Sequence, residues 1–174
     1  LERMLYQLIP SGRILHSDRT PGGLVRMNRT QLEQVILNLV LNASDAVGPS
    51  GNVWLTLSAD STENHVQITV KDDGPGIERE VLEHLFEPFY TTKEVGKGTG
   101  LGLATVYGIV KQNDGFINVY SEPGQGSTFK IYLRRHRGAP LDAIEEDLTE
   151  LIPGTGETVL LVEDEQKILT LVTA

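Results

Sequence analysis

The 174-residue chain contains no cysteine, which excludes disulfides and thiolate metal sites and fits a reducing compartment. It has no apolar run of the roughly 18 residues that a membrane-spanning helix needs, and its residues hold no charged-then-apolar leader. An excess of basic residues is missing as well. Residues 1–138 hold 14 Lys and Arg against 15 Asp and Glu, whereas residues 139–174 hold one lysine against nine acids. The body is near neutral and the tail acidic, so neither offers the basic stripe expected for nucleic acid or direct membrane contact. What is present, 39% hydrophobic and 22% charged residues, is the balance of one globular domain with a real core, plus a remainder.

The pattern along the chain is that of an α+β unit. A short amphipathic piece, "LERMLYQLI", ends at Pro10, and strand-like runs follow around Ile14–Leu15 and Leu24–Met27. Thr30 to Val47 reads as the clearest helix: Leu32, Val35, Ile36, Leu39, Val40 and Ala43 recur at helical spacing, Thr30 and Glu33 fit a capping box, and Gly48-Pro49 stops the run. "NVWLTLSAD" and "HVQITVKDD" alternate with period two, predicting an antiparallel hairpin with Val53, Leu55 and Leu57 facing inward against Val66, Ile68 and Val70. A short helix over Glu78–Leu85, a helix closed by Asn113-Asp114-Gly115, and strands "FINVYS" and "STFKIYL" complete a mixed, largely antiparallel sheet. The expected architecture is a two-layer α/β sandwich, helices on one face and the other face open. Residues 138–157 read as an acidic linker, and "TVLLVEDE" in 158–174 begins a new pattern.

Three stretches carry chemistry. "GKGTGLGLA" places four glycines just before a helix; their bare backbone is either a flexible loop with a helix start, or an anion site in which amides and the helix dipole face phosphate. It matches neither the dinucleotide-binding glycine pattern nor a P-loop. Asn38 and Asn42 lie one turn apart on the border of the apolar stripe, either solvated or offering amide oxygens to a hard cation such as Mg2+. In "VKDDGPGI" a strand runs into Asp72, followed by Gly74 and Gly76, either a plain Asp-Gly turn or a carboxylate fixed to accept from an exocyclic amine.

Taken in order, "QLEQVILNLVLNASDA", "DDGPGI", "FEPFYTTK", "GKGTGLGLA" and "GQGSTFKIYL" resemble the N, G1, F, G2 and G3 boxes of the sensor histidine kinase catalytic domain. This ATP-binding fold is shared with the gyrase, heat-shock chaperone and mismatch-repair ATPases. The resemblance covers residues 13–137, with 1–12 as the end of a helical phosphoacceptor and dimerisation segment. Residues 158–174 are similar to the start of a receiver domain whose acidic pair is Glu163 and Asp164, making the parent a hybrid kinase of the two-component systems.

The resemblance implies ATP and Mg2+ as cofactors, with Asn42 holding the metal and Asn38 supporting metal or phosphates. Asp72 would accept from the adenine amine with Thr128 nearby, and Gly74, Gly76 and Ile77 would shape the adenine pocket. Phe89 would precede a lid running from Tyr90 through Thr91 and Thr92 to Lys97, in which Lys93 or Lys97 contacts phosphate. The amides of Gly98, Thr99, Gly100, Leu101, Gly102 and Leu103 would cradle the phosphates. Asp45 stands where many such kinases have a basic residue, which removes one phosphate contact from the ATP-binding set. The hydrolysing relatives have a water-activating glutamate one turn before the metal asparagine; here that position is Asn38, which favours transfer to an external nucleophile. That nucleophile is expected on a helical hairpin outside this chain, because His16, His65, His84 and His136 lie in no matching motif. The implied partners are that hairpin, the receiver domain and a response regulator, in the cytoplasm. An ATP-binding regulatory module without turnover and an ATP-hydrolysing machine are the alternatives.

Overall fold

The computed structural model describes residues 1–20, 23–59, 64–93 and 98–138. Chain contacts separate a unit of Leu1–Arg137 from Gly138–Ala174; the linker and receiver-like stretches expected beyond 138, with Glu163 and Asp164, lie outside the described residues, as does Lys97.

The described elements are α1 (Glu2–Leu8), β1 (Ile14–Arg19), α2 (Arg29–Ala46), β2 (Asn52–Ala59), β3 (His65–Asp72), α3 (Arg79–His84), α4 (Gly102–Gln112), β4 (Phe116–Glu122) and β5 (Gly126–Arg134). The sheet runs β1-β2-β3-β5-β4. β1 and β2 are parallel, with α2 supplying the crossover that a parallel pair needs, and the other neighbours are antiparallel. The predicted hairpin forms with Leu55 opposite Val70 and Leu57 opposite Ile68. The run at Leu24–Met27 forms no strand and makes a single bridge, Val25 to Arg135.

Helix α2 begins one residue earlier than predicted and is capped by Asn28, whose Oδ1 accepts the amides of Thr30 (2.8 Å) and Gln31 (3.3 Å). The capping box at Thr30 and Glu33 is therefore not used: Asn28 takes the Thr30 amide that Glu33 would have accepted, and Glu33 pairs with Arg29 at 3.0 Å instead. The inward stripe of α2 (Val35, Ile36, Leu39, Val40, Ala43) packs with Val106, Ile109 and Val110 of α4 onto Val53, Leu55, Ile68, Val70, Phe129, Ile131 and Leu133 of the sheet. Each of these side chains except Ala43 contributes about 1.5–3 kcal/mol by leaving water. Leu5 and Ile9, in and just after α1, join the same core. The opposite sheet face is open to solvent, with His16 stacked on Trp54 and Lys71 over the same indole.

Candidate active site

The C-terminal half of α2, the start of α4, and residues 90–93 and 98–100 enclose a cavity of about 490 Å3. Asn38, Asn42, Asp45, Tyr90, Thr91, Thr92, Lys93, Gly98, Thr99, Gly100, Gly102 and Leu103 all line it, so residues far apart in sequence and singled out from it separately meet in one place. The Nδ2 of Asn38 donates to the carbonyl of Gly102 at 3.2 Å, fixing α2 against the first turn of α4. Lys93 reaches across from the lid, its Nζ 2.6 Å from Asp45 Oδ2 and 3.4 Å from Asn42 Oδ1.

Where Asn28 caps α2, no side chain among the described residues caps α4. Its first-turn amides are left as donors at the cavity edge, with the positive end of the helix dipole behind them. A Cβ added to Gly102 would sit 3.7 Å from Asn42 Nδ2, in the gap between α4 and the asparagines. Gly100 serves the backbone instead. Its φ of +66° suits glycine, and an added Cβ would meet Phe89 backbone atoms at 2.4–2.7 Å. The Phe89 amide donates to the Gly100 carbonyl at 3.0 Å, so these two residues pinch the base of the lid. Phe89 itself is 75% exposed, and neither it nor Leu101 lines the cavity.

Asp72 ends β3 with its side chain 2% exposed. One carboxylate oxygen accepts the amides of Gly74 (2.9 Å) and Ser127 (3.2 Å); the other accepts from no described residue. Burial pushes this carboxyl above its ordinary value, outweighing the two amide bonds that pull it down, and the neighbouring Asp73 adds to the rise. Gly76, at φ +76°, passes against the Glu122 carbonyl, and Ile77 donates to the Ser121 hydroxyl at 2.8 Å. That hydroxyl in turn lies 3.0 Å from both the Gly126 carbonyl and Ser127 Oγ.

Thr128 is not beside Asp72. It pairs with Lys71 and Tyr120 and belongs to the open sheet face, while buried Ser127 shares the inner face with Asp72. Strand alternation is the reason, and it was readable: Phe129, Ile131 and Leu133 set the inward register of β5, which puts 127 inward and 128 outward. Ser127, and Ser121 through it, adjoin Asp72 in the candidate site, and the motifs point to neither.

Three of the four histidine side chains have other occupations. His16 shares a 3.0 Å hydrogen bond with Asn52, His65 packs edge-on against Phe116, and His84 pairs with Glu87 at 2.8 Å.

Residues 27–137 match the family model for histidine kinase-, DNA gyrase B- and HSP90-like ATPases. The chain is 45% identical over 164 residues to the sensor kinase CckA of Brucella abortus, covering 83% of this chain and 17% of that protein. The chain therefore spans only a small part of that relative's length. Among solved structures it is similar to the mycobacterial sensor histidine kinase MprB (TM-score 0.66, 27% identity, 78% of this chain and 89% of that one). It is also similar to full-length ShkA in complex with AMPPNP (TM-score 0.67, 29% identity, 79% of this chain and 30% of that one).

Proposed function

The chain belongs to the family of histidine kinase-, DNA gyrase B- and HSP90-like ATPases, and from that we propose that it is the ATP-binding catalytic domain of a sensor histidine kinase that passes the γ-phosphoryl of ATP to a histidine carried outside these residues. The observation that carries the reading is the meeting of Asn38, Asn42, Lys93 and the uncapped start of α4 around one cavity.

The residues present fit the ligand. Asn42 Oδ1 already faces a cation, the Lys93 ammonium, so a positive charge is held where Mg2+ would bind. The α4 amides and Gly102 leave room and donors for phosphate oxygens. Asp72 keeps one oxygen for an exocyclic amine while backbone amides hold the other. When bound, ATP supplies the activated phosphoryl group. The protein's part is positioning and charge neutralisation, which is most of what such transfer demands.

Transfer rather than hydrolysis is supported by Asn38, whose amide donates to Gly102 and offers no base. Asp45 is the only carboxylate lining the cavity among the described residues, and Lys93 engages it. The partners in this reading are a histidine-bearing helical hairpin and a response regulator.

Titration of a fluorescent ATP analogue tests the site. Wild type should bind, Asp72→Asn should lose affinity by about tenfold or more because it turns an acceptor into a donor towards the ring amine, and Asn42→Asp should change the Mg2+ dependence. Supplying the helical hairpin of a related kinase in trans should yield acid-labile, base-stable phosphate on its histidine. Rapid ADP release without any hairpin would instead make this an ATP-hydrolysing relative.

A further inference from the structure

β4 closes one end of the sheet, and among the described residues no strand pairs with its outer edge. Its residues, "FINVYSE", pair with β5 at every position from Phe116 to Glu122. Such an edge leaves a row of backbone donors and acceptors open to another chain, and proteins blunt it with charge, proline, bulges or a covering element. The opposite edge, β1, carries Asp18 and Arg19. β4 has neither lysine, proline nor bulge, and its one charge is Glu122 at the last position. Phe116 and Tyr120 are 38% and 55% exposed.

Beside this edge lies a groove. A cavity of about 400 Å3 is lined by Leu82, Leu85 and Phe86, in and just after α3, and by residues 117–120 of β4. Ile117 and Val119 pack towards the core, while Asn118 and Tyr120 alternate to the open side. Four consecutive residues of a strand meet one cavity only along its edge, so the groove runs beside the unpaired backbone. An extended chain suits this geometry. It would bond to β4 from about 4.8 Å away and send alternate side chains onto Leu82, Leu85 and Phe86.

Charge selects the occupant. α3 and its flanks hold Glu78, Glu80, Glu83 and Glu87 against Arg79 and His84, and Glu87 already holds His84 at 2.8 Å. Glu80 and Glu83 are exposed and, among the described residues, pair with no cation. Lys130 and Lys111 lie over the rings of Tyr120 and Tyr107, and Tyr107 packs on Phe86. The cations thus border the groove at its aromatic residues, and the unpaired acids lie along α3. A second copy paired through its own β4 would bring two sets of these acids to one side of the joined sheet, which like charge opposes. A basic segment meets them with opposite charge. We propose that this edge and groove form a docking site for an extended, lysine- or arginine-bearing segment of a partner protein. The segment adds to the five-stranded sheet as a sixth strand, antiparallel to β4 because that pairing is the better bonded, with apolar side chains at alternate positions. The proposal is independent of the nucleotide site and of whether that site transfers phosphate.

The test uses the full chain without nucleotide. The probe is a labelled peptide of alternating valine and threonine between terminal lysines, read by fluorescence anisotropy and by residue-resolved amide chemical shifts. The expected result is saturable binding at sub-millimolar concentration, with shifts centred on residues 117–121 and 82–86. N-methylating the peptide amides that face β4 should abolish binding, because it removes the ladder donors. Exchanging the terminal lysines for glutamates should weaken it several-fold. Glu83→Lys, at an exposed position that leaves the fold intact, should narrow or reverse that preference. No saturable binding, equal binding of the N-methylated peptide, or a charge preference unchanged in Glu83→Lys would overturn the proposal. Self-association of the chain that Asn118→Lys abolishes would overturn it too, by giving the edge to a second copy.

Discussion

The ammonium of Lys93 bonds to the carboxylate of Asp45 at 2.6 Å, a contact between the lid and α2 across 48 positions of sequence. The same ammonium lies against Asn42 Oδ1, so the lid's charge is held where metal and phosphate are proposed to go. Both partners are substantially exposed, and such pairs are worth at most about 1 kcal/mol. Asp45→Asn should therefore tighten ATP-analogue binding by no more than several-fold, by freeing Lys93 and removing a negative charge beside the phosphates. Lys93→Ala should weaken it, and both effects should shrink as salt is raised. Tighter binding in Lys93→Ala would show that the lysine only blocks the site.

Adjacent carboxylates here have opposite linkage to stability. The Asp72 carboxyl is raised by burial, so what it contributes is present below the unfolded-chain value and lost as pH rises through its own. Asp73 is lowered, first by the Asn52 side chain (2.8 Å) and then by the Asn52 amide (2.7 Å). Its contribution is present above the unfolded-chain value and lost as pH falls through its lowered one. Urea denaturation across pH should show Asp72→Asn gaining on wild type from the acid range to neutrality. Asp73→Asn should be less stable than wild type at neutral pH, the gap closing in acid.

The elements were legible where one periodicity dominated. The stripe of α2 gave the helix, and the alternation of β2 and β3 gave strands and inward faces, because a one-residue slip would have turned Val53 or Ile68 to solvent. The asparagines and glycines of the site could be picked out singly, but not their meeting: Asn38 and Gly102 are 64 positions apart, and only the packing of α2 on α4 joins them. The cap at Asn28 was hidden by an overlapping motif at Thr30. Thr128 lies one residue past Ser127, and only the alternation of β5 tells which of the two faces Asp72.

Asn38 joins the helices through a donor that only an amide at this position supplies. Asn38→Ala should cost about 1 kcal/mol by leaving the Gly102 carbonyl without it. Asn38→Asp should cost more, since a carboxylate would then face that carbonyl oxygen. Denaturant midpoints of the two variants, measured with and without nucleotide, check the order.

Two glycines of one loop should separate fold from function. Gly100 has φ +66° and backbone atoms of Phe89 within 2.7 Å of an added Cβ, so Gly100→Ala must open the pinch at the base of the lid. Left-handed backbone alone costs a side chain about 1–2 kcal/mol, and the clash adds to it. Gly102 is helical, with its nearest neighbour 3.7 Å from an added Cβ. Alanine there favours the helix by up to about 1 kcal/mol, yet its methyl group enters the gap between α4 and Asn42. Gly102→Ala should therefore melt no lower than wild type while binding the ATP analogue less tightly, and Gly100→Ala should lose stability first. If Gly102→Ala binds as well as wild type, ATP does not occupy the space between α4 and the asparagines, and the glycines of this loop serve the backbone alone.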